Sequence, residues 1–330
     1  MSKKQWFIDK VNGKNNELPV SFWLHFLDSE DQQNYLENPN VFEENLKGHR
    51  KYVEAIKPDY IKLMSDGFFQ YPTREVLSVR SFADLDKLSP LSADHPWISQ
   101  QVSLVQAQLQ ALPEEIASFY NIFSPASYYK FLLPEATRNE VLASKIVENP
   151  DLIQAVLNFI ATDIQTLVRE VVNEGKATGI YFSVQNVQDK RITSKDYEKI
   201  IRPSELEVIK TANQVSDYHI LHICGYSHSR NDLQLYKDYA FPIFNWSTSS
   251  EKVSLAEGKD LFKDKVILGG FDNTPEGILA TGTKEEILEF TKNLVDETGK
   301  ERLILGADCT LPKNIDWQRI QWVQEAVSGL

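Results

Sequence analysis

The chain holds two cysteines, and one of them, Cys224, stands two places after His222 in the run LHICGYSHS, residues 221–229. In a strand, residues two apart face the same side, so the imidazole and the thiol share one face. Gly225 follows directly, which places the pair at the C-terminal end of its strand. The other cysteine, Cys309, follows the apolar run RLILGAD and is expected at a strand end of the same kind. One nitrogen and two sulfurs suit Zn²⁺, which takes tetrahedral N/S surroundings with Zn–S of about 2.3 Å. A closed structural site needs a fourth protein ligand. There is no third cysteine, and His228 reaches the others only if its loop folds back. Three ligands and an open position form the catalytic pattern. Two thiolates make zinc a weaker Lewis acid than three histidines do, so the softer role fits: binding a substrate thiol and holding it as a nucleophilic thiolate. The chemistry implied is alkyl transfer to sulfur. The competing reading of His-x-Cys is core packing, since cysteine is among the most buried residues.

Other polar residues fall at expected strand ends. Asp66, after YIKLM, could hydrogen-bond a substrate amine or act as a base; Asp272, after VILGGF, could do the same or cap the following turn. His25, Gln185 and Trp246 are candidates for lining a substrate pocket, Trp246 as an aromatic wall. The glycine pair in GGFD lacks the G-x-G-x-x-G spacing of a dinucleotide site and is expected to let the backbone approach a ligand.

The elements that must position these residues alternate between short β-branched or aromatic runs and longer stretches of helical period. Eight strands are expected: 19–26, 60–64, 117–123, 179–184, 218–224, 241–246, 265–271 and 302–308. Between them, residues 149–175 place Leu152, Val156, Phe159, Ile160, Ile164, Leu167, Val168 and Val171 on one helical stripe ending at a Gly175 cap. The segment GTKEEILEFTKNLVDETG has a threonine cap, early acids and a terminal glycine. The fold expected is α/β, a TIM (β/α)8 barrel formed as a single domain over 1–330. Residues 1–17 are read as an N-terminal extension and about 73–116 as a helical insertion after the second strand, near the barrel mouth. The active sites of such barrels lie at the C-terminal strand ends.

A formal charge of −12 with no dense basic stripe argues against nucleic acid as a partner. No apolar stretch approaches membrane-spanning length and the N-terminus has no signal-like apolar region, so a cytoplasmic protein with reduced thiols is expected.

The order LHICG, ILGGFDNTPEGILATGTKEEI, LILGADCTLP and the closing IDWQRIQWVQEAV resembles the uroporphyrinogen decarboxylase superfamily, and the likeness runs from about residue 18 onward. The resemblance implies a TIM barrel and either of two chemistries: cofactor-free decarboxylation of a tetrapyrrole, or zinc-dependent methyl transfer as in methylcobamide:thiol methyltransferases. Decarboxylases carry an arginine-rich RQAGRY-like segment after the first strand, where this chain reads LHFLDSEDQQNY. Their late GHGI-like histidine is replaced by ADCTLP. KLMSDGFF keeps their Ser-Asp pair as Ser65 and Asp66. His222, Cys224 and Cys309 match the methyltransferase pattern, which implies one zinc per chain, a small-molecule thiol acceptor and a methyl-corrinoid carried by a partner protein, with a homodimer allowed. Methionine synthases of the cobalamin-independent type add a glutamate ligand about twenty residues beyond the His-x-Cys, where this chain has FPIFNWSTS; water or the substrate thiol is left for the fourth position. The alternatives are a decarboxylase working through Asp66 without a metal, and a non-catalytic ligand-binding barrel.

Overall fold

The computed structural model describes residues 1–28, 31–33, 35, 38, 40–226 and 228–330. Ser29, Glu30 and Asn34 of the arginine-free stretch LHFLDSEDQQNY lie outside the described residues.

Seven strands form one parallel sheet in sequential order: β1 (Tyr60–Leu63), β2 (Ala117–Phe123), β3 (Gly179–Val184), β4 (Ile220–Ile223), β5 (Ile243–Trp246), β6 (Val266–Phe271) and β7 (Leu303–Ala307). Every position in β1, β3, β4, β5, β6 and β7 is buried, which is why these runs read as mostly apolar rather than alternating apolar and polar. The sheet curls. The Tyr60 hydroxyl, on β1, donates to Leu305 O of β7 at 3.2 Å and to Ser21 O at 3.3 Å, so the two sheet edges come together around the segment that follows Pro19. This is an α/β architecture of TIM-like character.

The expected first strand, 19–26, is not a regular ladder strand. Val20 and Leu24 make isolated parallel bridges to Leu305 and Leu311, supported by Leu305 N–H to Pro19 O at 2.9 Å and Leu311 N–H to Trp23 O at 2.9 Å. On the β1 side a carboxylate takes over: Asp59 Oδ2 accepts from Val20 N–H at 3.0 Å, while Asp59 N–H donates to Val20 O at 3.2 Å. Proline supplies no N–H, and a side chain occupies the bond that a neighbouring main chain would make.

Alternate strand residues separate two cores. Tyr60, Met64, Phe119, Tyr181, Ile220, Ile243, Leu268 and Ile304 pack inside the curled sheet, and Leu63, Phe182, Leu221, Phe244, Ile267 and Leu303 pack outward against the helices. The helix Lys3–Val11 buries Phe7 against Tyr60 and Phe119. Residues 1–17 therefore cover the interior at the N-terminal strand ends.

The long helix Pro150–Asn173 buries the stripe read from its period, with Phe159 only partly covered. Its exit differs from the expected glycine cap: Glu174 is still right-handed and Lys176 takes the left-handed conformation, at φ 67°. Gly175 serves close packing instead, since a Cβ there would meet Val171 O at 2.5 Å. Thr283 caps Lys284–Thr298 reciprocally with Glu286, and Gly299, at φ 74°, ends it. Residues 73–116 contain the short turns Arg74–Ser78 and Phe82–Leu85 and the helix Pro96–Gln110, which leads into β2. No helix among the described residues is long and apolar enough to cross a membrane.

Candidate metal centre

His222 is an inward residue of β4, and Cys224 follows one step beyond the strand with its N–H on Val184 O at 2.8 Å, so the ladder with β3 fixes both on the same face. Cys309 follows β7, and its predecessor Asp308 extends the ladder through its N–H to Phe271 O at 2.8 Å. Parallel strands of matched register bring these C-terminal ends together. The ligand atoms of His222, Cys224 and Cys309 all lie within 4.8 Å of one another, with His222 Nε2 3.5 Å from Cys309 Sγ. In a tetrahedral zinc site, ligand atoms bonded at about 2.0–2.3 Å stand roughly 3.5–3.8 Å apart, so the set fits with small closure.

The tautomer is set from behind. His222 Nδ1 lies 2.5 Å from Asn245 Oδ1, and the amide is itself oriented by Asn245 Nδ2 donating to Leu268 O at 2.9 Å and Ala307 O at 3.1 Å. An amide oxygen can only accept, so Nδ1 carries the proton and Nε2 keeps its lone pair toward the sulfurs. Tyr181 donates to the same Oδ1 at 2.7 Å. Gly269, at φ 144°, makes room for this amide: a Cβ there would sit 3.3 Å from Asn245 Nδ2. The GGFD glycines thus admit a side chain and, at Gly270, the Leu294 and Leu255 side chains of the helix layer, rather than a ligand.

The two neighbouring thiols are driven apart: Cys309 is held well below the ordinary thiol range, first by its interaction with Cys224 and then by Lys62, whereas Cys224 is pushed well above it by Cys309 and by burial. Two buried ammonium groups face this pair. Lys130 donates to Gln185 Oε1 at 2.9 Å and is lowered to about 8 by burial and then by Arg138, against the pull of Cys224. Lys62, inward on β1, lies over the Tyr181 ring at 3.9 Å and is likewise lowered to about 8 by burial, against Cys309, Asp66 and Cys224. Asp308, beside Cys309, is raised to about 6 by burial despite accepting from Thr248 Oγ1 and Ser249 N–H.

The remaining candidates are placed as follows. Asp66 is fully buried; its Oδ1 meets His25 Nδ1 at 2.8 Å and its Oδ2 accepts from Phe26 N–H at 2.7 Å. Both oxygens are taken, so Asp66 ties the segment after Pro19 to the end of β1 and orients His25, which stays half-exposed. His25 packs edge-on to Phe69 at 5.8 Å, and Phe69 meets Phe123 and Phe131 at 4.7 and 6.2 Å. Gln185 is buried between Lys130 and Ser127. Asp272 closes a turn by accepting from Thr274 N–H at 2.8 Å. His228 is exposed beside Tyr226 and stands outside the ligand cluster. Trp246 is the clear correction: it is 0% exposed, points outward, donates to Val253 O at 2.9 Å and packs on Phe262, so it lines the helix layer and not a pocket. Its neighbour Asn245 faces the site. Asn245, Tyr181, Lys62 and Lys130 are the residues that pattern reading misses; period-2 alternation along their strands is the signal that could have marked Lys62, Tyr181 and Asn245 as inward.

Comparison with known proteins gives the chain's family and fold. The family model for uroporphyrinogen decarboxylase (URO-D) matches residues 71–330, and the chain belongs to that family. Among solved structures it is similar to a methyltransferase from Methanosarcina mazei, with 13% identity, a TM-score of 0.68, and 100% of this chain and 99% of that one covered. It is also similar to a B12-independent methionine synthase from Shewanella sp. W3-18-1 in complex with selenomethionine, with 12% identity, a TM-score of 0.53 and 94% of each chain covered. At these identities the likeness is one of fold. No match is found among curated proteins.

Proposed function

We propose that this protein is a zinc-dependent methyltransferase that moves a methyl group to a small-molecule thiol, with His222, Cys224 and Cys309 as the metal ligands. The observation that carries the reading is the Asn245 anchor, which commits His222 to the one tautomer that leaves Nε2 free at 3.5 Å from Cys309 Sγ. A core histidine needs no such arrangement beside two thiols. A zinc ion bound there would lower the proton affinity of an acceptor thiol enough to keep it nucleophilic near neutral pH.

The protein's own groups then have separate tasks. Asn245 and Tyr181 hold the imidazole, and Gln185 holds Lys130 near Cys224. Asp66 turns His25 so that its Nε2 can receive a proton or a substrate hydrogen bond. We read the Pro19–Leu24 segment as the eighth stave of a single TIM barrel spanning 1–330, and a methyl-corrinoid on a partner protein as the donor. The fold shared with a methyltransferase and a B12-independent methionine synthase supports methyl transfer as the reaction class, without bearing on the donor. A metal-free decarboxylase would need Asp66 open to substrate, and here both its oxygens are engaged.

Elemental analysis of untagged protein, wild type beside Cys309→Ser, tests the proposal. About one zinc per chain is expected in the wild type, lost in the variant. Absence of metal from reduced, zinc-supplemented wild type overturns it and turns attention to decarboxylation or ligand binding.

A further inference from the structure

Lys62 is a lysine inside the curled sheet, 6% exposed, with neither a salt bridge nor a hydrogen bond to any described residue. Its ammonium rests on the Tyr181 ring at 3.9 Å and lies 5.5 Å from the Trp23 ring. Tyr181 in turn lies 5.2 Å, centroid to centroid, from His222 and shares its Asn245 anchor, so Lys62 is one ring away from the ligand cluster. An isolated buried cation is costly, and two cation–π contacts return only part of that cost. Of its surroundings, the sulfurs of Cys309 and Cys224 and the Asp66 carboxylate draw on its charge, and Asp66 is already engaged by His25 and Phe26.

The charge balance of the site says when Lys62 matters. A divalent cation with two thiolates and a neutral imidazole is neutral, and a further thiolate makes the ensemble negative by one. We propose that Lys62 is the built-in counter-cation for that thiol-loaded state, a positioning residue that strengthens thiol binding while leaving the retention of the metal to His222, Cys224 and Cys309. This inference rests on the metal-site reading above. Its direction follows from charge: a fixed positive group favours an added anion and does not favour an added cation, so it cannot be explained as a device for gripping zinc. The incoming thiolate is the anion it serves in the loaded site.

The test uses full-length protein loaded with cobalt(II), so that metal binding and thiol binding are read separately, the second from the sulfur-to-cobalt charge-transfer absorption on titration with 2-mercaptoethanol. Wild type, Lys62→Met and Lys62→Arg are compared at fixed pH and ionic strength. In Lys62→Met the thiol affinity is expected to fall on the order of 10- to 30-fold, the effect of removing one charge about 8–12 Å away at an effective dielectric near 20, with metal affinity within about threefold of wild type. Lys62→Arg keeps the charge and should stay within about threefold for both. Equal loss of metal and thiol affinity in Lys62→Met, or thiol affinity unchanged within threefold, overturns the proposal. Should Lys62→Met not fold, the arginine variant decides: retained thiol affinity supports the charge role, and a tenfold loss overturns it. If wild type takes up no metal at all, the metal-site reading fails before Lys62 is tested.

Discussion

At the scale of single residues, the arrangement depends on a side chain that touches neither metal nor substrate. Asn245 accepts from His222 and Tyr181 through one oxygen and spends both amide hydrogens on the carbonyls of Leu268 and Ala307, so it has no freedom to turn. Asn245→Ala leaves the imidazole free to rotate and to place its proton on either nitrogen. Zinc affinity, measured by competition with a chromophoric chelator, should fall about 10- to 100-fold, the usual cost of removing an outer partner of a metal-ligating histidine. Tyr181→Phe removes one of two donors to the same oxygen and should cost less. Asp66 presents a different case, because it accepts from main chain and imidazole while fully buried. Asp66→Asn turns one acceptor into a donor facing a donor, and urea unfolding should show a loss of about 1–3 kcal/mol with zinc content unchanged.

Elements place these residues, and here the sequence was informative in proportion to how completely a strand is buried. All seven ladder strands coincide with expected runs, because a parallel sheet covered on both faces keeps them mostly apolar, and the few polar residues that interrupt them, Lys62, His222 and Asn245 among them, face the site. The His222–Cys224 parity followed from period 2 alone. The segment after Pro19 looked equally apolar but does not make a regular ladder, because Asp59 and the Tyr60 hydroxyl take main-chain groups there, and such long-range side-chain bonds leave no local signature. Trp246 and Asn245 show the other limit. Chemistry suggested the indole for the site, while alternation along β5 turns the amide in and the indole out. The indole's place can be tested through the helix Leu255–Leu261, where a Cβ on Gly258 would fall 2.1 Å from Trp246 Cη2. Helix propensity favours alanine by about 1 kcal/mol, but overpacking a filled core costs about 1–3 kcal/mol and the indole is pinned by Val253 O. Gly258→Ala should therefore lower the urea midpoint.

For the whole molecule, buried titratable groups outside the site set how stability varies with acidity, and they act in opposite directions. His49 and His219 are buried and held down to about 4, so the unfolded chain binds more protons below about pH 6.5 and their contribution is lost as pH falls toward 4. Glu205, fully buried and accepting from Tyr197 and Tyr239, is raised to about 7 by burial. Here the folded chain binds the extra proton, so its contribution is complete below about pH 4.5 and is lost as pH rises through 7. Asp308, raised to about 6, acts in the same sense. Between about pH 4.5 and 6 the two histidines and these two carboxyls pull in opposite directions in reduced, metal-free protein. Glu205→Gln removes one of the opposing terms. Relative to wild type, the variant should gain stability progressively from pH 4.5 to 7, by at most about 3 kcal/mol for a shift of this size, and the difference should be constant on either side of that range. Urea unfolding at half-unit pH intervals, with chelator and reductant present, measures it. A difference that does not change with pH would mean that Glu205 keeps an ordinary carboxylate affinity beneath its two tyrosines.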